Sequence, residues 1–151
     1  MAWYVVSLVA GCVGVLLGAG IAVWASVKVC REHQLGGARA RQHRAVRVLA
    51  DFLAQERQRI DTADVAPTNG DYRYIGAAGM HLAYIATLEA IDADVIDSLG
   101  KVQTNLAELR TYAFTEPLLD ATIVLLHGVV EETAHRAAGR KPARYLGALV
   151  T

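Results

Sequence analysis

Apolar and polar positions along the chain fall into blocks of different period. The first block has no period at all. From Ala2 to Val27 there is not one charged side chain, and the first charge is Lys28. At about 1.5 Å of rise per residue, this stretch makes a helix of roughly 39 Å, enough to cross a ~30 Å hydrocarbon core with some tilt. Nothing basic precedes the run, and it is longer than the apolar core of a cleaved signal. Val9-Ala10-Gly11-Cys12 has the look of a lipoprotein cleavage site, yet apolar sequence continues well past Cys12. A soluble helix of this length would carry a polar face. The pattern therefore predicts a membrane span.

After the glycine pair Gly36-Gly37 the pattern becomes helical, with Val46, Leu49, Leu53 and Ile60 on one stripe and Arg57 and Arg59 away from it. Pro67, Asn69-Gly70 and Asp71 break it as a turn, and Asn69 or Asp71 is placed to cap the next helix. From Tyr72 to Ala113 the stripe Leu88, Ile91, Val95, Leu99, Val102, Leu106, Leu109 and Ala113 keeps phase through Gly100, which predicts one continuous or gently kinked helix. Thr115-Glu116-Pro117 opens a last helix with the stripe Leu119, Ile123, Leu126, Val130 and Ala134, and Gly139 and Pro142 close it.

The predicted fold is all-α: a single N-terminal transmembrane helix followed by a small, elongated bundle of antiparallel helices. Its segments are a span over 1–28, a basic juxtamembrane stretch and first helix over 29–64, a turn over 65–71, a helical hairpin over 72–139 and a basic tail over 140–151. Ala77, Ala78, Ala83, Ala86 and Ala90 give alanine-rich faces, and Gly76-Ala77-Ala78-Gly79 reads as a place of close helix packing.

Charge adds an orientation. The formal net charge is zero, but it is unevenly spread. Lys28, Arg31, Arg39, Arg41, Arg44 and Arg47 follow the span against the single acid Glu32, while residues 86–132 are strongly acidic. By the positive-inside rule the N-terminus lies outside and the remaining chain in the cytoplasm. Trp3, Tyr4 and Trp24 stand towards the span's two ends, where aromatic rings favour the headgroup region. The six basic residues fit contact with anionic lipid headgroups. Aromatic stacking groups are absent there, so nucleic acid is not an expected partner. Two cysteines, Cys12 and Cys30, make no disulfide framework for the part beyond the span.

Candidate chemistry is sparse. Small residues Ala10, Gly14, Gly18, Ala22 and Ser26 recur every four positions along the span, a spacing that lets a second helix approach closely in lipid. A second copy or a partner transmembrane protein is the expected occupant. His127, Glu131 and His135 fall at i, i+4 and i+8, with Glu132-x-x-His135 overlapping them. A di-iron carboxylate site needs two Glu-x-x-His elements, and only one is present, so His127, Glu131 and His135 read as the polar flank of a helix. Glu89, Glu108 and His81 do not complete the set. There is no Gly-x-Ser-x-Gly and no glycine loop between a strand and a helix. No cofactor and no small-molecule substrate is expected. The sequence thus points to a membrane-anchored helical protein of assembly or regulation, without catalysis. A pore-forming oligomer and a tethered metalloenzyme are the alternatives.

Overall fold

The computed structural model describes residues 2–111 and 116–140, with side chains from Ala22 onward. It is all-helical, with α1 over Ala2–Thr62, α2 over Asn69–Glu89, α3 over Ala93–Thr111 and α4 over Glu116–Ala137. The chain divides into two compact units, residues 1–36 and 37–151, and α1 contributes to both. Its helix runs through Gly36-Gly37 without a break. Among the described residues no helix is long and apolar enough to cross a membrane. The side chains of Ala2–Ile21, most of the uncharged run and Cys12 with it, lie outside the described residues.

The second unit is a four-helix bundle with antiparallel neighbours. Arg41 pairs with Glu89, while further along α1 the Leu53 side chain lies near Gly79, so α1 and α2 run in opposite directions. His43 meets Thr133, and Arg57 meets Glu116 and Asp120, which sets α4 antiparallel to α1 as well. The core takes Val46, Leu49, Leu53 and Ile60 from α1 as the periodicity predicts. Tyr72, Ile75, Ala83 and Ala86 come from α2, Val95, Leu99, Val102, Leu106 and Leu109 from α3, and Leu119, Leu126 and Val129 from α4. The closest approach is between α2 and α3. A Cβ on Gly76 would stand 2.7 Å from the Leu106 carbonyl oxygen and 2.8 Å from the Arg110 amide nitrogen. Glycine is required at that crossing because only a bare backbone fits against another backbone.

Three expectations need correction. The segment from Tyr72 to Ala113 is not one helix: it continues through Gly100 but breaks at Ala90–Asp92. The break has a tertiary cause. Gln42, fully buried on α1, accepts the Ile91 N–H at 2.9 Å and donates to Asp92 Oδ2 at 3.2 Å. Asp92 O then receives the Val95 and Ile96 amides at 3.1 Å each and starts α3. Leu88 and Ile91, placed on the core stripe by their phase, therefore leave it and are exposed. On α4 the buried face is rotated. Thr122, Val129 and Thr133 join Leu119 and Leu126 inside, and Ile123, Val130 and Ala134 are only half-buried. Each buried threonine returns its hydroxyl to its own helix, Thr122 to Leu118 O at 2.6 Å and Thr133 to Val129 O at 2.9 Å, which removes the cost of burying it.

The N-cap of α2 also differs from the expected Asn69 or Asp71, which are the first and third residues of the helix. Thr68 is the N-cap of α2, and Asp71 completes a capping box by accepting the Thr68 N–H at 2.9 Å. These bonds from the Thr68 backbone and hydroxyl, with Arg59 alongside, hold the Asp71 carboxyl down at about 2. Gly139, at φ 69°, closes α4 in the left-handed conformation expected of a C′ glycine. Thr115, Ala113 and Pro142 lie outside the described residues.

Candidate functional site

The densest polar chemistry of the second unit sits at the end of the bundle where Gln42, the α2–α3 turn and the C-terminal turns of α4 meet. Arg136 is its centre. Its guanidinium donates through Nε to Glu132 Oε1 at 2.7 Å and through Nη1 to Asp94 Oδ1 at 2.8 Å, with Nη2 on Asp94 Oδ2. Asp92 Oδ2 lies 3.3 Å from Nη1. The Arg136 side chain is 14% exposed and that of Glu132 only 2%. The Asp94 carboxylate, with Glu132 and Asp92, holds the guanidinium charged against its burial. Arg136 in turn holds Asp94 below the usual carboxylate range. Two buried atoms in this unit have no hydrogen-bond partner among the described residues, Glu132 Oε2 and Arg39 Nε.

His43 and Thr133 extend the network. His43 Nδ1 lies 3.0 Å from Thr133 Oγ1, in outline a base beside a hydroxyl. The hydroxyl also has Val129 O at 2.9 Å and Val130 O at 3.0 Å beside it, and Thr133 is 1% exposed. A substrate has no path to that oxygen. The arrangement fastens α1, the α2–α3 turn and α4 together; it does not present a nucleophile.

The opposite end of the bundle carries a second cluster. Arg57, read from sequence as solvated, has a 21% exposed side chain bonded to Asp61 at 2.6 Å and to Glu116 and Asp120 at 2.8 Å each. Burial opposes its charge, and Asp120, Glu116 and Asp61 more than offset that opposition. Tyr72 is buried beside this cluster, and burial raises its phenol above the ordinary value.

The residues singled out from sequence are scattered. Of the small-residue face, Ala22 and Ser26 are exposed, with the Ser26 hydroxyl on Ala22 O at 2.8 Å; Ala10, Gly14 and Gly18 lie outside the described side chains. Of the basic set, Lys28 and Arg31 belong to the first unit and are exposed, and Lys28 Nζ stands 5.4 Å from the Trp24 ring centre. Arg39, Arg41, Arg44 and Arg47 belong to the second unit. Arg41 pairs with Glu89 at 3.4 Å and Arg47 with Asp51 at 3.7 Å, both largely exposed. His127 Nε2 lies 3.4 Å from Glu131 Oε1 on the outer face of α4. Among the described residues no three His, Cys, Asp or Glu side chains converge as metal ligands. Gln42 and Arg136 had no local signal for their contacts with Ile91, Asp92 and Asp94, which lie tens of residues away along the chain, whereas Glu132 and Arg136 stand four residues apart and their pairing could have been read from spacing.

No family model, curated protein sequence or solved structure matches this chain.

Proposed function

We propose that this is a single-pass membrane protein whose bundle acts in the assembly or regulation of a membrane complex, without catalysis. The uncharged run from Ala2 to Val27, followed at once by the basic residues from Lys28 to Arg47, carries the proposal. The run is the anchor, with the N-terminus outside and the bundle in the cytoplasm by the positive-inside rule. Lys28, Arg31, Arg39, Arg41, Arg44 and Arg47 lie next to anionic headgroups, each worth about 1 kcal/mol near the surface. The face Ala10, Gly14, Gly18, Ala22 and Ser26 receives the span of a partner membrane protein.

The chemistry of the bundle supports a scaffold. The buried Glu132 is held by Arg136 of the same helix, which also pairs with Asp92 and Asp94 from the neighbouring turn and α3, and the hydroxyl that faces His43 belongs to the buried Thr133. The test is purification of the tagged full chain from membranes in mild detergent. A second membrane protein should co-purify through washing, and Gly14→Ile with Gly18→Ile should release it, since bulky side chains hold the helices apart. A chain that retains no other membrane protein contradicts the proposal.

A further inference from the structure

A cavity of about 360 Å³ opens between α1 and α2, charged at one end and apolar along the rest. Ala45 and Val48 of α1 and Leu82 and Ile85 of α2 form its apolar walls. Ala45 and Leu82 are half-buried against the core, while Val48 at 50% and Ile85 at 41% exposure leave the groove open to solvent. The two helices are antiparallel, so Arg41 stands opposite Glu89 at the charged end and Val48 lies toward Leu82 at the other. By helical rise, Arg41 and Val48 are about 10 Å apart along α1. Arg44 lies nearly one turn beyond Arg41 on the same face, and among the described residues no charged side chain lines the cavity past it.

The charges at that end do not cancel. Arg41 meets Glu89 at 3.4 Å with both side chains well exposed, and a surface pair of this kind is worth little. Arg44 is exposed and has no ion pair among the described residues. Two guanidiniums against one carboxylate leave one positive charge over, at the mouth of an otherwise apolar groove. Arginines three apart on a helix face reach one anion together, and a guanidinium donates paired N–H bonds to a carboxylate. A nucleotide or a sugar would need polar partners along the walls, which Ala45, Val48, Leu82 and Ile85 do not supply. A docked helix, about 10–12 Å across, needs a longer trough than this one. The lining calls for one negative charge at the end of one apolar chain.

We propose that the α1–α2 groove binds a long-chain fatty acid, with its carboxylate on Arg41 and Arg44 and its hydrocarbon chain over Ala45, Val48, Leu82 and Ile85. Binding removes the exposed faces of Val48 and Ile85 from water together with the chain itself, which drives the association. The arginines select the anion and set the direction of the chain. Glu89 keeps the site at a single net positive charge, matched to a monoanion. The site uses residues of the bundle alone and stands whether or not residues 2–27 cross a membrane.

Photolabelling of the full chain tests this. The chain is freed of detergent in the presence of phosphatidylcholine vesicles, mixed with palmitic acid carrying a diazirine in its chain, irradiated, and mapped by mass spectrometry. Label should appear at residues 45–48 and 82–85. Excess palmitate should remove it, and hexadecanol, the same chain without the charge, should not. Arg41→Gln with Arg44→Gln should lower the groove label about tenfold, through loss of charge-assisted hydrogen bonds. Arg31→Gln with Arg47→Gln removes the same charge outside the cavity and should leave the label unchanged. All four arginines are exposed, so helical content by circular dichroism should stay at the wild-type level. Label in residues 2–27 reports only contact with the bilayer. Absence of label from both groove segments would overturn the site, as it would if a protein segment covers this groove. Groove label that hexadecanol removes equally, or that survives Arg41→Gln with Arg44→Gln, would overturn recognition of the carboxylate.

Discussion

Adding one methyl group at Gly76 should have the opposite effect to adding it at Gly100. Both glycines lie inside helices, so alanine at either gains about 1 kcal/mol of helix propensity. At Gly100 a Cβ meets nothing within 4 Å, and that gain stands alone. At Gly76 the Cβ would press on the Leu106 carbonyl oxygen at 2.7 Å, the Arg110 nitrogen at 2.8 Å and the Arg110 Cα at 3.2 Å. These are backbone atoms of α3, and no side-chain rotation relieves the contact. The helices must separate, which loosens packing along Ile75, Gly79 and Leu106 as well. Overpacking of this kind costs about 1–3 kcal/mol, and a backbone clash belongs at the upper end. After subtracting the propensity gain, Gly76→Ala should destabilise by roughly 1–2 kcal/mol and Gly100→Ala should stabilise by up to about 1 kcal/mol. Urea denaturation of the full chain in mild detergent, followed by circular dichroism, separates the two. If Gly76→Ala is as stable as Gly100→Ala, α2 and α3 do not cross where the structure puts them.

Three further outcomes follow from the core and its charges. Leu126→Ala, at a fully buried site, should cost roughly 2–5 kcal/mol in the same assay; a loss below about 1 kcal/mol would place Leu126 outside the core. Arg136→Met strands the buried Glu132 carboxylate and should cost about 3–5 kcal/mol, most of which Glu132→Met in the same chain should recover. No recovery would mean that the pair is not the source of the loss. Asp71 titrates at about 2 when folded against an ordinary 3.8, so its contribution is complete above the higher value and disappears as pH falls through the lower. Stability should therefore fall less steeply with acidification over that window in Asp71→Asn than in wild type, and equal slopes would contradict the capping box as its cause.

The helices whose faces were read correctly are those whose burial follows from apolar spacing alone. Val46, Leu49, Leu53 and Ile60, and the run from Val95 to Leu109, needed only the 3.6-residue period. The α2–α3 break escaped that reading because the stretch from Leu88 to Val95 holds no Gly or Pro and Asp92, a residue type suited to an N-cap, was passed over; Gln42, fifty residues earlier, supplies the partner that ends α2. On α4, threonine does not look like core, yet Thr122 and Thr133 are buried with their hydroxyls satisfied inside the helix. Ile123 and Val130 looked better and sit at the margin. The Arg136 cluster was invisible for a related reason. A charged residue on a helix flank reads as solvated until the fold brings Asp92 and Asp94 beside its own-helix partner Glu132. The alanines of α2 were read as packing surface, and Ala83 and Ala86 are fully buried while Ala77 is exposed.

Membrane anchoring by residues 2–27 is the claim on which the functional proposal depends, and alkaline extraction of isolated membranes addresses it most directly. The full chain should stay in the membrane pellet at high pH, because a span of this length and apolarity is held by burial in hydrocarbon and not by charge. A chain comprising only residues 28–151 should be released to the supernatant under the same treatment. Release of the full chain together with the truncated one would contradict the anchor.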